Sequence, residues 1–139
     1  MGSGKKRVVN ILLLMGLLLL TLFGCEKQRE ANESKIVLGN LAEQYWTDRL
    51  MDFDYESTYQ MELQKDSIPF SEYLLRVKNA GQIKVLSVKA NEVEIENGKG
   101  VVNLTATCRI QSVPKEMELP IKDVWIKKAE EWKHQLPEE

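Results

Sequence analysis

The chain has 139 residues, 19 basic and 21 acidic, for a net charge of −2 with its one histidine neutral. At 43% hydrophobic and 29% charged, it has the composition of one folded domain, not of a disordered or disulfide-stapled chain. The mixed, mildly acidic balance argues against a nucleic-acid partner and against electrostatic docking on anionic headgroups.

Lys5-Lys6-Arg7 precede an apolar run from Val8 to Phe23, closed by Gly24-Cys25. A cationic start stays on the cytoplasmic side, the apolar run enters the bilayer, and a small residue lets a peptidase reach the backbone. The run of 16 residues contains Asn10, Gly16 and Thr21, and is shorter than the roughly 20 apolar residues that span a bilayer comfortably. An uncleaved anchor and a plain secretory signal are the alternatives, although an A-x-A-like site is absent. The layout resembles a bacterial lipoprotein signal, with Leu22-Phe23-Gly24-Cys25 as its lipobox. That resemblance implies a signal peptide over 1–24, removed before Cys25, and a covalent lipid such as palmitate on Cys25. The membrane is then a partner through the lipid anchor, and the protein belongs to the cell envelope. With no Asp directly after Cys25, the resemblance implies the outer membrane, facing the periplasm, in a Gram-negative host. Cleavage leaves 115 residues and removes Lys5, Lys6 and Arg7, which takes the net charge from −2 to −5. Cys108 is left unpaired in an apolar row and reads as a buried hydrophobe, with a free reactive thiol or an intermolecular bridge as the alternatives.

Residues 25–33 are polar without apolar periodicity and read as a tether. A single domain is expected over 34–139. Ser34 suits the N-cap of a helix reaching about Met51, with Leu38, Leu41, Ala42, Tyr45, Trp46 and Leu50 on one face. Gly39 costs about 1 kcal/mol against Ala in that helix, unless it marks close packing. A second helix from Asp52 or Asp54 carries Phe53, Tyr55, Tyr59 and Leu63. A third, opened by Pro69, carries Phe70, Tyr73, Leu74 and Val77, and stops near Gly81.

Beyond Gly81 the apolar period falls from 3.6 to two. A strand opens over Ile83–Val88 and continues, through a bulge, to Val93 and Ile95. Asn97-Gly98 is a hairpin signal because both residues accept positive φ. Val102, Leu104, Ala106, Cys108 and Ile110 then alternate with Asn103, Thr105, Thr107, Arg109 and Gln111, so one face of this strand is buried and the other polar. Met117, Leu119, Ile121 and Trp125 form a third strand, in which Pro120 implies an edge position or a bulge. Trp132, His134 and Leu136 share one face of a fourth. Helices followed by hairpins give an α+β fold: N-terminal helices packed on a curved antiparallel sheet of about four strands.

Tyr45-Trp46, Asp52-Phe53-Asp54-Tyr55 and Phe70 to Leu75 resemble the helical half of the nuclear transport factor two-like superfamily, the cystatin-like α+β cone. Asp123-Val124-Trp125-Ile126 followed by Glu131-Trp132-Lys133 resembles its closing hairpin, although Lys128-Ala129-Glu130-Glu131 lacks the Gly frequent at that turn. The resemblance implies a sheet curled into a cone that in many members encloses a pocket, and an outer sheet face that forms dimers.

Enzymes of that superfamily place a carboxylate with a Tyr or His inside the cone, and such a base needs a pocket and a pKa tuned by burial. Asp123 with Tyr45 or Tyr59 is the candidate pair for an isomerase- or dehydratase-like reaction. The competing reading caps or pairs Asp123 at the sheet rim and leaves His134 a partly exposed structural residue. His134 and Cys108, 26 residues apart, do not make a metal-ligand set. No G-x-S-x-G elbow or phosphate-binding glycine loop is present. Tyr45, Tyr59, Tyr73, Trp125 and Trp132 are candidate pocket-lining residues, with core filling as the alternative. Asn103, Thr105, Thr107, Arg109 and Gln111 are the candidate association face, including a homodimer. The reading that needs least is a membrane-anchored, non-catalytic domain that binds a protein partner or a small apolar ligand, with no cofactor besides the lipid. An accessory subunit of an envelope assembly or secretion machine, and a small enzyme, are the alternatives.

Overall fold

A computed structural model describes residues 28–78, 83–110, 113 and 115–137. Cys25, Gly81 and Gln111 lie outside the described residues, and with them the lipobox, the predicted stop of the third helix and one end of the polar row. Two compact units divide at Ser34/Lys35. In the first, residues 28–34 are helical, with an exposed Arg29–Glu33 ion pair at 3.3 Å. The stretch expected to be a tether is thus helical over 28–33, and Arg and Glu four apart favour a helical turn. Ser34 is itself helical and is not the predicted cap. No described helix is long and apolar enough to cross a membrane.

The second unit holds three helices and four strands. Its first helix, α1 (residues 35–47), buries Leu38, Ala42 and Tyr45. It ends earlier than predicted, in a π-turn, Asp48–Asp52, closed by Phe53 in the left-handed region at φ 57°. Asp54 caps α2 (Tyr55–Met61) by accepting from the Ser57 amide at 3.1 Å. That bond satisfies a donor the first helical turn leaves free, and with the Ser57 hydroxyl it lowers the carboxyl pKa of Asp54. Glu62 ends α2 in extended conformation, so Leu63 is not on the helix. Pro69 is the N-cap of α3 (Phe70–Val77).

The sheet is a meander in the order β1-β2-β3-β4, antiparallel throughout. The strands are β1 (Ile83–Glu96), β2 (Lys99–Ile110), β3 (Glu116–Lys128) and β4 (Glu131–His134). Asn97 and Gly98, at φ 49° and 75°, make the two-residue turn between β1 and β2, as expected for a turn with positive φ at both positions. Register shifts at Val85/Ser87 and Ala90/Glu92 supply the predicted irregularity and bend the strand. Ala129 takes φ 55° in the β3–β4 turn, the position where a glycine is frequent.

Pairing fixes the inner face. Val85, Cys108 and Met117 lie side by side; so do Val88, Ala106 and Leu119; then Ala90, Leu104 and Ile121; then Val93, Val102 and Asp123. Leu38, Ala42 and Tyr45 pack onto this face with Val102, Leu104 and Trp125. A second cluster joins Tyr73, Val77 and Leu136; a third joins Val85, Ala106 and Cys108 under Leu50 and Met51. Gly39 brings α1 close to β1: an added Cβ would stand 3.3 Å from Val93 Cγ2. Cys108 is free and buried, as its place in the row requires.

Candidate functional site

A chain of polar side chains runs through the packed interior. Glu62 leaves α2 extended and bridges β4 at His134, and the Leu63 amide donates to the His134 carbonyl at 2.8 Å. This places the Glu62 carboxylate beside the imidazole. Asp123 reaches the imidazole's other side because it pairs with inward-facing Val102 and precedes Trp125 by two residues, one strand period.

The bonds are short. His134 Nδ1 lies 2.8 Å from Glu62 Oε2, and Nε2 lies 2.7 Å from Asp123 Oδ1. Trp125 Nε1 donates to Asp123 Oδ2 at 2.6 Å, and Tyr45 donates its hydroxyl to Glu62 Oε1 at 2.5 Å. Arg49 Nη1 donates to that same hydroxyl oxygen at 3.1 Å. His134 is enclosed by rings: Tyr45 stacks on it at 4.2 Å, and Trp125 and Trp46 meet it edge-on at 5.4 and 6.2 Å. Side-chain exposure is 1% for His134 and Glu62 and 3% for Asp123, so each polar atom must find its partner within the protein.

Both ring nitrogens face a carboxylate oxygen, and a carboxylate accepts only. The arrangement therefore selects the imidazolium, with both N–H groups donating. Burial works against that charge, but the bonds to Asp123 and Glu62 outweigh it and raise the pKa of His134. Burial pushes the Tyr45 phenol far above its ordinary range; Arg49 opposes this and Glu62 adds to it. Tyr45 stays neutral, donating to Glu62 and accepting from Arg49. With two carboxylates, one imidazolium and one guanidinium, the network carries no net charge.

Chemically, the network is saturated. Each carboxylate oxygen accepts one hydrogen bond and both imidazole nitrogens are engaged, so a base would have to break a buried charged bond before acting. None of the described grooves is lined by Glu62, Asp123 or His134. No group of three His, Cys, Asp or Glu among the described residues is arranged to hold a metal ion.

The sequence-derived candidates separate. Asp123 lies inside the domain rather than at the sheet rim, and His134 is buried rather than partly exposed. The cause is the same for both: the inward register of β3 brings them together across β4. Tyr45 reaches Asp123 only through Glu62 and His134. Tyr59 lies elsewhere, its one hydroxyl proton shared between the Lys65 and Ile68 carbonyls, each 2.7 Å away. Tyr45, Trp125 and half-buried Trp132 pack in the first cluster, whereas Tyr73 packs in the second with Tyr59 beside it. Tyr73 donates to Thr58 Oγ1 at 2.8 Å. Tyr59 borders an open groove with Glu56, Ser57, Gln60 and Phe70. On the outer face, Asn103, Thr105 and Arg109 bond to Glu92, Asn91 and Glu116, and Thr107 lies between Ser87 and Glu118. Glu62 was not legible as a site residue, because the extended exit from α2 that places it has no simple sequence periodicity; Arg49 was missed although it stands at helical i,i+4 spacing from Tyr45.

No family model matches the chain, and no curated protein matches it. Among solved structures it is similar to a Campylobacter jejuni protein described as an NTF2-like (nuclear transport factor two-like) transpeptidase. Identity is 14%, the TM-score is 0.52, and the match covers 70% of this chain and 96% of that one. The likeness shows the fold: three helices packed on a four-stranded antiparallel sheet, α+β and NTF2-like.

Proposed function

We propose that this protein is a lipid-anchored envelope protein whose NTF2-like domain is a non-catalytic binding module. The observation that carries the non-catalytic reading is the saturation of His134: both nitrogens are engaged by buried carboxylates, each of whose other oxygens accepts from a buried ring donor. A general base must reach a substrate proton, and this imidazole reaches only protein. The network instead ties α1, the exit of α2, β3 and β4 together, which favours one arrangement of those elements over its competitors. Transpeptidation, the activity ascribed to the Campylobacter jejuni protein, draws no support from Cys108, which is buried among Val85 and Ala106. The anchor rests on Leu22-Phe23-Gly24-Cys25, the envelope localisation follows from it, and a protein partner or a small apolar ligand is what such a domain would bind.

Two measurements test this. Palmitate labelling in a bacterial host should mark the parent chain and not Cys25→Ser, which should also remain unprocessed; equal labelling of both would overturn the anchor. Diethyl pyrocarbonate modifies accessible neutral imidazoles, and this chain has one histidine, so the readout is unambiguous. His134 should react only on unfolding. Rapid modification of the folded chain would overturn the non-catalytic reading.

A further inference from the structure

β1 has one paired side and one open side. It is an end strand of the meander, bonded to β2 alone among the described strands, and no proline interrupts it. An edge strand presents unpaired N–H and C=O groups unless something covers them. In the middle of β1 something does: Glu43 extends from α1, and its Oε1 accepts from the Ala90 amide at 2.7 Å. The carboxylate there takes the place of a neighbouring strand's carbonyl. The register shift between Ala90 and Glu92 follows, and beyond it the cover stops.

From Glu92 to Glu96 the ladder with β2 is regular, ending at Glu96 opposite Lys99. These two residues flank the two-residue turn, where such a pair exchanges both backbone bonds. Alternation then directs the backbone of Glu94 and Glu92 to β2 and turns the N–H and C=O of Val93 and Ile95 to the open side. No described hydrogen bond outside the ladder reaches either residue.

The space beside them is shaped. One groove, of about 270 Å³, runs between α1 and β1, with Ile36, Gly39 and Asn40 on the helix side and Ala90 and Val93 on the strand side. A second, of about 780 Å³, lies along Ile95 and Glu96, and Lys35 borders both. The larger is in the size range of ligand sites. A strand edge separated from a helix by a groove fits an extended peptide that adds to the sheet.

Charge selects the peptide. Glu92, Glu94 and Glu96 project from the outer face at alternate positions, and none belongs to an ion pair among the described residues. Glu94 faces Val101 on its paired side, so no cation stands opposite it. An added strand would set its outer-face side chains against these carboxylates, where opposite charges attract and like charges repel. On the inner side, Lys35 and the 57%-exposed Ile36 favour uncharged apolar side chains.

We infer that the Glu92–Glu96 edge of β1 docks an extended segment of a partner protein, with basic and apolar residues in alternation, as a fifth strand. The site deepens the binding-module reading, on which it rests, by making the partner a protein segment. A second copy of this chain fits poorly, because antiparallel self-pairing over this stretch would set Glu94 against Glu94 and Glu92 against Glu96.

The test uses the full chain in a non-ionic detergent, with acetyl-Lys-Val-Lys-Val-Lys-amide as probe. One comparator has glutamate for every lysine; the other is N-methylated at both valines. With the lysines opposite Glu92, Glu94 and Glu96, the valines exchange backbone bonds with Val93 and Ile95, so methylation removes the ladder and keeps the charge. The readouts are the NMR signals of the Val93 and Ile95 amides. The probe should shift both saturably and slow their hydrogen exchange, and each comparator should bind at least tenfold more weakly. Glu94→Lys, at an exposed position, should weaken the probe about fivefold. Equal binding of the methylated peptide would reduce the site to surface charge, and equal binding of the acidic peptide would remove the charge selection. Either result overturns the inference, as does a response to the probe that is absent or unsaturable. A shift of the same two amides with protein concentration alone would make a second copy the occupant and overturn it too. The comparison of peptides on the parent chain stands even if Glu94→Lys fails to fold. Failure here would leave the Cys25 and His134 tests untouched, so the two readings fail separately.

Discussion

The imidazole of His134 lies almost flat on the phenol of Tyr45, centroids 4.2 Å apart and planes 25° from parallel. The two rings bond to opposite oxygens of one carboxylate, Glu62. A cation stacked on an electron-rich ring gains from the ring's quadrupole, and the shared carboxylate holds the rings in register. Breaking a buried pair of this kind costs about 3–5 kcal/mol, because the partner left behind is an uncompensated buried charge.

The first prediction is a pH dependence. The pKa of His134 is raised in the folded chain, against about 6.5 when unfolded. Its contribution to stability is therefore fully present below the unfolded value and is lost as pH rises through the folded one. A urea midpoint followed from pH 6 upward should fall across that window in the parent chain. His134→Gln, less stable throughout, should lack this component of the slope. A parent midpoint that rises with pH would show that the neutral imidazole is the folded form.

How much of this was legible varies with the range of the interaction. The Asn97-Gly98 turn, the alternating β2 row and the α+β order follow from local chemistry, and the structure has them. Asp123 was ambiguous because Pro120 allowed a bulge that would flip every later side chain. The register runs without a shift from Arg109/Glu116 to Lys99/Ile126, so inward Trp125 makes Asp123 inward too. Glu62 was hidden for a different reason. Its partner lies 72 positions away, and no local pattern encodes a bridge of that span. Arg49 lies four positions after Tyr45, an ordinary helical spacing, so its contact was within reach of the sequence and went unread.

The second prediction concerns Gly100, which sits opposite Trp125. A Cβ there would meet Leu38 Cδ2 at 2.3 Å, with Trp132 at 3.4 Å. Leu38 is fully buried and has little room to turn away. Gly100→Ala should cost about 1–3 kcal/mol through overpacking, read from chemical denaturation. Leu38→Ala should also destabilise, by leaving a cavity. Because each change relieves the other, the double variant should be clearly more stable than the sum of the singles implies. Strict additivity would show that α1 does not press on β2 at this point.

The third prediction follows from the short β4. It pairs with β3 only over Trp125–Lys128, which leaves the flank of β3 from Glu116 to Lys122 without a described strand partner. The Val124 carbonyl accepts from the Gln135 amide at 2.8 Å, so Val124 directs its backbone groups toward that flank. Alternation then points residues 122, 120, 118 and 116 the same way. Pro120 thus stands where an N–H would otherwise face outward, beside Leu119 and Met117, and it spares the β2 ladder while breaking the row of donors on the open edge. Natural sheets blunt exposed edges in this way. Pro120→Val should leave the monomer about as stable or slightly more so, since valine favours strands, while restoring an unbroken edge. Light scattering on the full chain in detergent should then show concentration-dependent association above that of the parent. If the variant associates no more than the parent, the edge is protected by something other than its proline.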